Sequence, residues 1–197
     1  MVDLFRPRFR AVLALIPLTF GFVALFGASE ASADERVCRG SIGKTTLDDV
    51  RVPRGRTCVL TGTNVEGNIK VFRGATLKAR NVRVDGNVQA NRSRFVQVIR
   101  RSRIEGDIQV ERGRAVAVRG SVIDGNIQLD RNRGAIRTIN NRVNGDIQLF
   151  SNRGRKRVKK VRGNRVDGNL QCKSNSPRPT GGGNVVNGNK EDQCARL

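Results

Sequence analysis

The apolar and polar positions of this chain repeat around one short motif. The motif is a branched apolar residue, an acidic or amide residue, glycine, Asn or Asp, and a second branched apolar residue. It occurs six times in full and once without its last apolar residue, at residues 65–69, 84–88, 104–108, 123–127, 143–147, 166–170 and 186–189. Its glycines lie 19, 20, 19, 20, 23 and 20 residues apart. A fixed period near 20 residues predicts a solenoid, in which each repeat buries its apolar face by stacking on its neighbours.

Within each repeat, the apolar residues alternate with polar ones. Counted from the motif glycine, positions −2 and +2 are branched aliphatic residues, and position +4 is mostly apolar as well. A second apolar pair, such as Val96 and Val98, follows each turn. A period of two with β-branched residues predicts strands. We therefore predict an all-β, single-domain parallel β-helix of about 20 residues per coil. A strict six-residue period, typical of left-handed β-helices, is absent, and this favours a right-handed coil.

The first 33 residues have the pattern of a secretory signal peptide. Arg6, Arg8 and Arg10 precede an apolar run over residues 11–28, and the small residues 31–33 follow it. An uncleaved membrane anchor is the alternative, but the run is short for a span. We expect no stable membrane insertion after cleavage. The predicted segments are a signal peptide (1–33), an N-terminal cap and first coil (34–62), regular coils (63–172), and a C-terminal coil and cap (173–197).

The cysteines lie near the two ends of the predicted solenoid. Cys38 and Cys58 are 20 residues apart, and Cys172 and Cys194 are 22 residues apart. Residues one coil apart are separated by about 4.8 Å, within the range of about 4.4–6.8 Å that a disulfide requires between Cα atoms. We therefore predict a Cys38–Cys58 and a Cys172–Cys194 disulfide. A four-cysteine zinc site is the alternative, but the CxxC spacing is missing and export favours oxidation.

Stacked coils bring equivalent residues into columns. Position +1 is an amide or a carboxylate throughout, and position −4 is mostly small and polar. Side chains in such columns can hydrogen-bond to the coils above and below, where turn backbone groups would otherwise be unpaired. We predict a structural ladder formed by Asn68, Asn87, Asp107, Asn126, Asp146, Asn169 and Asn189.

These turns carry a resemblance to known proteins. An Asn column at the turns of a branched aliphatic coil resembles the secreted right-handed β-helix proteins of bacteria. The Gly-Asn-Ile/Val motif also resembles the bactofilins, bacterial β-helix proteins that polymerise end to end. The closing stretch from Gly181 to Cys194 is similar to small secreted β-helix proteins of uncharacterised function. The resemblance covers residues 60–190 and is at the level of the fold. The likeness to secreted proteins also implies a location outside the cytoplasm, whereas bactofilins are typically cytoplasmic, and neither implies an activity.

The basic composition of the chain favours anionic partners. The chain has 38 Lys and Arg against 17 Asp and Glu, a net charge of +21, and contains no His, Trp or Tyr. Two columns of arginine occupy one corner of successive coils, with a Gly, Ser or Asn between them. They are Arg73, Arg92, Arg112 and Arg131 at position +6, and Arg94, Arg114, Arg133 and Arg153 at position +8. Guanidinium groups bind phosphate and carboxylate in a bidentate fork, so a polyanion is the expected ligand. The alternative is a solvated face that keeps the protein soluble.

The longest repeat adds to this basic corner. Its 23 residues include extra residues at the most basic point of the chain. Insertions in solenoids often lie on the binding face. We include Arg155, Lys156, Arg157, Lys159 and Lys160 in the predicted binding surface. A charged loop without a ligand is the alternative.

An enzyme is the least favoured class. Position −1 forms a carboxylate column that includes Glu66, Asp85 and Asp124, but the column repeats without a unique catalytic pair. The chain also lacks His, the commonest general base. Arg83, Arg103, Arg142 and Arg165 are the expected charge partners of this column. We predict no cofactor, no metal and no catalytic residue, and an acidic-glycan enzyme remains a remote alternative.

The functional prediction is a secreted, extracellular or periplasmic protein that binds an anionic envelope polymer or acidic polysaccharide. Non-specific DNA binding ranks lower, because no aromatic platform exists for stacked bases. A self-assembling scaffold of the cell envelope, which would require self-association, is the main alternative.

Overall fold

The repeats fold into three parallel β-sheets that share one core. The computed structural model describes residues 34–154 and 158–197. Within these residues each coil contributes one strand to each sheet, giving nine strands in sheet A and eight strands each in sheets B and C. The predicted all-β parallel solenoid of about 20 residues per coil is confirmed.

The strands are short, and sheet C has the shortest. Sheet A consists of β1 (Glu35–Val37), β4 (Asp49–Val52), β7 (Ile69–Val71), β10 (Val88–Asn91), β13 (Ile108–Glu111), β16 (Ile127–Asp130), β19 (Ile147–Phe150), β22 (Leu170–Lys173) and β25 (Lys190–Asp192). Sheet B consists of β2 (Ser41–Ile42), β5 (Thr57–Thr61), β8 (Thr76–Arg80), β11 (Phe95–Ile99), β14 (Ala115–Arg119), β17 (Ile136–Ile139), β20 (Lys159–Arg162) and β23 (Thr180–Gly182). Sheet C consists of β3 (Thr46–Leu47), β6 (Asn64–Val65), β9 (Arg83–Val84), β12 (Arg103–Ile104), β15 (Val122–Ile123), β18 (Arg142–Val143), β21 (Arg165–Val166) and β24 (Val185–Val186).

Equivalent residues of successive coils are in register, which builds the core from columns of like side chains. In sheet A, for example, Ile108 pairs with Ile127, and Ile127 pairs with Ile147. All three are completely buried. Side chains alternate between the two faces of a strand, so the apolar positions of each repeat point inward and the polar positions point to solvent.

The predicted ladder at position +1 is confirmed. The backbone amide of Asn126 donates to Asp107 Oδ1 at 2.7 Å, and the amide of Asp146 donates to Asn126 Oδ1 at 2.8 Å. The motif glycine is required beside this ladder. A Cβ atom on Gly125 would approach Asp107 Oδ1 and would lie 2.7 Å from the carbonyl oxygen of Gly106. No larger residue can occupy that position unless the coils move apart.

Both predicted disulfides are present, near the start and near the end of the solenoid. The Cα atoms are 5.5 Å apart in Cys38–Cys58 and 5.2 Å apart in Cys172–Cys194. All four cysteines are buried. The bonds therefore join the terminal segments to neighbouring coils within the core.

Some predictions lie outside the described residues or are untested. The predicted signal peptide (1–33) and Arg155, Lys156 and Arg157 belong to the first group. The right-handed sense and the internal segment boundaries stay predictions. Over residues 34–154 and 158–197, no helix is long and apolar enough to cross a membrane.

Candidate anion-binding groove

The arginine columns lie at the corner between sheets A and B. At position +6 the backbone turns through the left-handed region, with φ of 53° at Arg92, 53° at Arg112 and 51° at Arg131. The next residue points into the solenoid, and the residue at +8 points out again. The two exposed arginine columns therefore flank a buried column at position +7, which includes Ser93, Gly113 and Asn132.

This buried +7 column is a second hydrogen-bond ladder. The backbone amide of Gly113 donates to Asn132 Oδ1 at 2.8 Å, and the amide of Asn132 donates to Asn152 Oδ1 at 2.9 Å. Asn132 Nδ2 also donates to the carbonyl oxygen of Val110 at 2.8 Å. The ladder thus pairs backbone groups that would otherwise be buried without partners. The Gly, Ser and Asn residues between the arginines are visible in the sequence, but their role follows only from their inward direction in the structure.

The backbone conformation at position +6 is unusual for arginine. Non-glycine residues rarely adopt positive φ, and those that do are enriched in Asn, Asp and His. Ser151 and Ser174 take the same conformation at the equivalent position, with φ of 52° and 57°. A large cationic side chain is therefore not needed for the turn itself, and strained positions of this kind cluster at ligand-binding sites.

The two columns enclose a groove of about 870 Å³. Among the residues that the structure describes, six arginines line it together with Gly113 and Ser151, and no acidic residue does. We call it the arginine groove; its cationic lining is Arg92, Arg112, Arg114, Arg131, Arg133 and Arg153. Successive arginines of a column repeat at the coil spacing of about 4.8 Å.

The two columns differ in how far their charge is neutralised. Glu111 lies 3.3 Å from Arg112 and 3.5 Å from Arg131, and Asp130 lies 2.6 Å from Arg131. The hydrogen bond to Asp130 raises the pKa of Arg131. The +8 arginines, by contrast, form no ion pair with any residue that the structure describes. Within the groove, the unneutralised positive charge is therefore carried by Arg92 and by the +8 arginines.

The structure separates several predicted residues from the groove. Arg94 is exposed in the +8 column, one coil before Arg114, but does not line the groove. Arg73 lines a different concavity of about 780 Å³ on sheet A. That concavity also contains Glu111 and Asp130. Mixed charge makes it a weaker site for a polyanion.

The prediction that Lys159 belongs to the binding surface is wrong. Residue 159 is in register with Ile136 and takes the same inward position. Lys159 is only 1% exposed, its Nζ donates to the carbonyl oxygen of Ser176 at 2.8 Å, and burial lowers its pKa. Lys160 points outward, but from sheet B and not from the groove.

Most carboxylates of the column at position −1 are held in ion pairs, as predicted, whereas Glu66 forms none with a described residue. Arg83 Nε lies 2.9 Å from Asp85, Arg103 Nη2 lies 2.6 Å from Asp124, and Arg142 Nη2 lies 3.6 Å from Asp167. Hydrogen bonding to Asp85 raises the pKa of Arg83. Arg165, the fourth predicted partner, forms no ion pair with a described residue.

The described part of the chain also holds no group of three or more His, Cys, Asp or Glu side chains arranged for a metal ion.

Comparison with known protein families, curated proteins and solved structures yields no match. The parallel β-solenoid fold is shown by the structure itself.

Proposed function

We propose that this protein is an exported, non-enzymatic β-solenoid that binds an anionic polymer of the cell envelope through its arginine columns. The observation that carries the proposal is the arginine groove, whose lining in the described part of the chain has six arginines and no carboxylate. Two buried disulfides support an oxidising compartment, which is the environment of exported proteins. The finer resemblance to secreted bacterial β-helix proteins is part of the same proposal.

The geometry favours a polymer over a single small anion. Like charges repeating at about 4.8 Å repel one another, and a ligand with many negative groups relieves that repulsion along the whole column. Arginine can bind each phosphate or carboxylate with two parallel hydrogen bonds. Rigid backbone ladders beneath the corner keep the columns in place, so the binding surface is preorganised.

The test is a binding titration across salt with one phosphate polymer and one carboxylate polymer. Inorganic polyphosphate and polygalacturonate serve as probes. A variant with Arg114→Gln, Arg133→Gln and Arg153→Gln removes three charges of the +8 column from the groove. A control with Arg83→Gln, Arg103→Gln and Arg142→Gln removes three charges from sheet C.

We expect the affinity of the unsubstituted protein to fall steeply with salt. Each lost contact reduces the slope of log affinity against log salt by about 0.7, or by about 2 for three contacts. The +8 variant should show this flattening with both polymers or with one of them, and the control should not. Equal behaviour of the two variants would refute the groove as the binding site.

The ends of the solenoid bear on the scaffold alternative. At one end Arg36 is in register with the core residue Val50. At the other end Lys190 is in register with Leu170, and Asp192 with Cys172. Charges in core columns discourage the addition of further strands at a sheet edge. We therefore place polymer binding ahead of end-to-end assembly, and light scattering that shows a growing mass with concentration would reverse that order.

A further inference from the structure

The outer face of sheet B differs in charge from the rest of the surface. Its strands contain no Asp or Glu. Six outward cations lie on it, and none of them forms an ion pair with a described residue; they are Lys78, Arg80, Arg119, Arg137, Lys160 and Arg162. The ion pairs found among the described residues lie on sheets A and C and the adjoining turns. Sheet B is therefore an unneutralised cationic face.

The same face carries outward apolar side chains. Val96 and Val98 point into the core, so their neighbours Phe95 and Ile99 point outward and are half-buried. Two further apolar side chains point outward. Ala115 is paired with Phe95, and Ile139 lies in the same column as Ile99. Val158, which precedes β20, is 48% exposed. Apolar and cationic residues thus share one surface.

The two kinds of side chain follow a regular arrangement. One outward column lies at the C-terminal ends of the sheet B strands. In successive coils it consists of Arg80, Ile99, Arg119, Ile139 and Arg162. Cations in this column are therefore separated by two coils, about 9.6 Å, with an isoleucine between them. The +8 arginines lie along the opposite border, since Arg94 directly precedes Phe95 and Arg114 directly precedes Ala115. Cations therefore lie along both borders of the face, and Lys78, Arg137 and Lys160 lie in the outward column between them.

We propose that the outer face of sheet B docks on the surface of a bilayer that contains anionic lipids. Apolar side chains at such a surface enter the boundary between headgroups and acyl chains, while Lys and Arg reach the phosphates. Basic side chains near an anionic bilayer also gain from its negative surface potential. All of these groups lie on one continuous sheet and can therefore meet such a surface together. This proposal rests on sheet B and not on occupation of the arginine groove.

Two other occupants fit the face less well. A second copy of the chain would bring two acid-free cationic faces together, and the like charges would repel. A soluble polyanion would satisfy the cations but would leave Phe95, Ile99 and Ile139 without a partner. A bilayer surface is the ligand that uses both the charge and the apolar side chains.

The chain has no Trp or Tyr, so a single introduced tryptophan reports on its own position. Phe95→Trp places the reporter on sheet B, and Phe150→Trp places it on the outer side of sheet A, where Phe150 is also half-buried. The protein is purified after export, and its intact mass shows whether residues 1–33 have been removed. Vesicles of phosphatidylcholine, with and without phosphatidylglycerol, are then added.

We expect a blue shift of the Phe95→Trp emission with the anionic vesicles and none for Phe150→Trp. In flotation assays, Arg119→Gln with Arg137→Gln should weaken vesicle binding by about fivefold per lost cation. Arg142→Gln with Arg165→Gln, which removes the same charge from sheet C, should have a much smaller effect. Phe95→Ser should weaken binding to vesicles but not to soluble polyphosphate.

Three results would overturn the proposal. They are an equal shift of both reporters, equal losses in the two arginine pairs, and binding to polyphosphate without binding to anionic vesicles. The last result would still be consistent with polymer binding in the arginine groove. Binding to vesicles without binding to polyphosphate would refute polymer binding in the groove but not the docking of sheet B. Association of the chain with itself in place of vesicle binding would identify the face as an interface between copies.

Discussion

Asn132 donates its backbone amide to the side chain of Asn152, one coil further along, at 2.9 Å. Both residues are completely buried directly beneath the arginine corner. A polar ladder inside an otherwise apolar solenoid therefore holds the turn from which the arginine columns project, and the stability of the coil and the geometry of the groove depend on the same contacts.

We predict that Asn132→Ala destabilises the protein by about 3 kcal/mol. The substitution leaves the buried amide of Gly113 without its partner and removes the bond from Asn132 Nδ2 to the carbonyl oxygen of Val110. A buried unsatisfied group alone costs about 1–3 kcal/mol, and the lost side-chain bond adds to this. Urea unfolding followed by circular dichroism measures the change. Asn144→Ala, at an exposed amide, is the control and should change stability by less than about 0.5 kcal/mol. Similar losses in both variants would show that the ladder has no special role.

The motif glycine gives a second prediction. Gly125→Ala should destabilise the protein by about 2 kcal/mol, because its Cβ would lie 2.7 Å from the carbonyl oxygen of Gly106 and would force neighbouring coils apart. Gly43→Ala is the matched control, since no atom lies within 4 Å of its added Cβ. Thermal unfolding of both variants tests the expectation. A tolerated alanine at residue 125 would mean that the ladder can shift without loss.

Lys159 predicts an unusual dependence of stability on pH. Burial lowers its pKa from an ordinary value of 10.5, so the unfolded chain holds this proton more tightly than the folded one. Stability should therefore rise with pH between the lowered pKa and about 10.5. Lys159→Met should remove this contribution and stabilise the protein at neutral pH by roughly 1 kcal/mol.

Denaturant unfolding between pH 7 and pH 10.5 measures the Lys159 effect. Lys160→Met, which removes the same charge from an outward position, is the control. If the two variants have the same pH profile, the charge of Lys159 is not the cause.

The partial neutralisation of the +6 column predicts a gain of affinity. Glu111 and Asp130 compete with a ligand for Arg112 and Arg131. Glu111→Gln with Asp130→Asn should therefore raise polyphosphate affinity roughly threefold to tenfold at low salt. Glu105→Gln with Asp124→Asn makes the same change of net charge on the sheet C side. Equal gains in both double variants would attribute the effect to net charge alone.

The terminal disulfides should carry a measurable share of the stability. Cys172→Ala with Cys194→Ala opens a loop of 22 residues, and this should cost about 3 kcal/mol. Unfolding of the unsubstituted protein with and without a reducing agent is the companion measurement. A variant that matches the oxidised protein would mean that the packing of the last coil suffices without the bond.

The repeat period by itself was enough to predict the solenoid, both disulfides and the +1 ladder. Each of these depends on a separation of about one coil, and parallel stacking places residues one period apart side by side. The alternation of apolar residues likewise predicted which strand positions form the core, because successive side chains of a strand point to opposite faces.

The direction of the side chains at the corners and the charge of each sheet face depend on the tertiary structure. Lys159 lies in a basic run of the sequence, and this run predicts an exposed side chain. Its register with Ile136 instead directs it into the core. The inward direction of Asn132 follows from the positive φ of Arg131, which no charge pattern reveals. The neutralisation of Arg112 and Arg131 but not of the +8 arginines, and the absence of Asp and Glu from the strands of sheet B, depend on which residues about 20 positions apart become neighbours. Local alternation fixes inside and outside along one strand, whereas the chemistry of a face is set only when the coils are stacked.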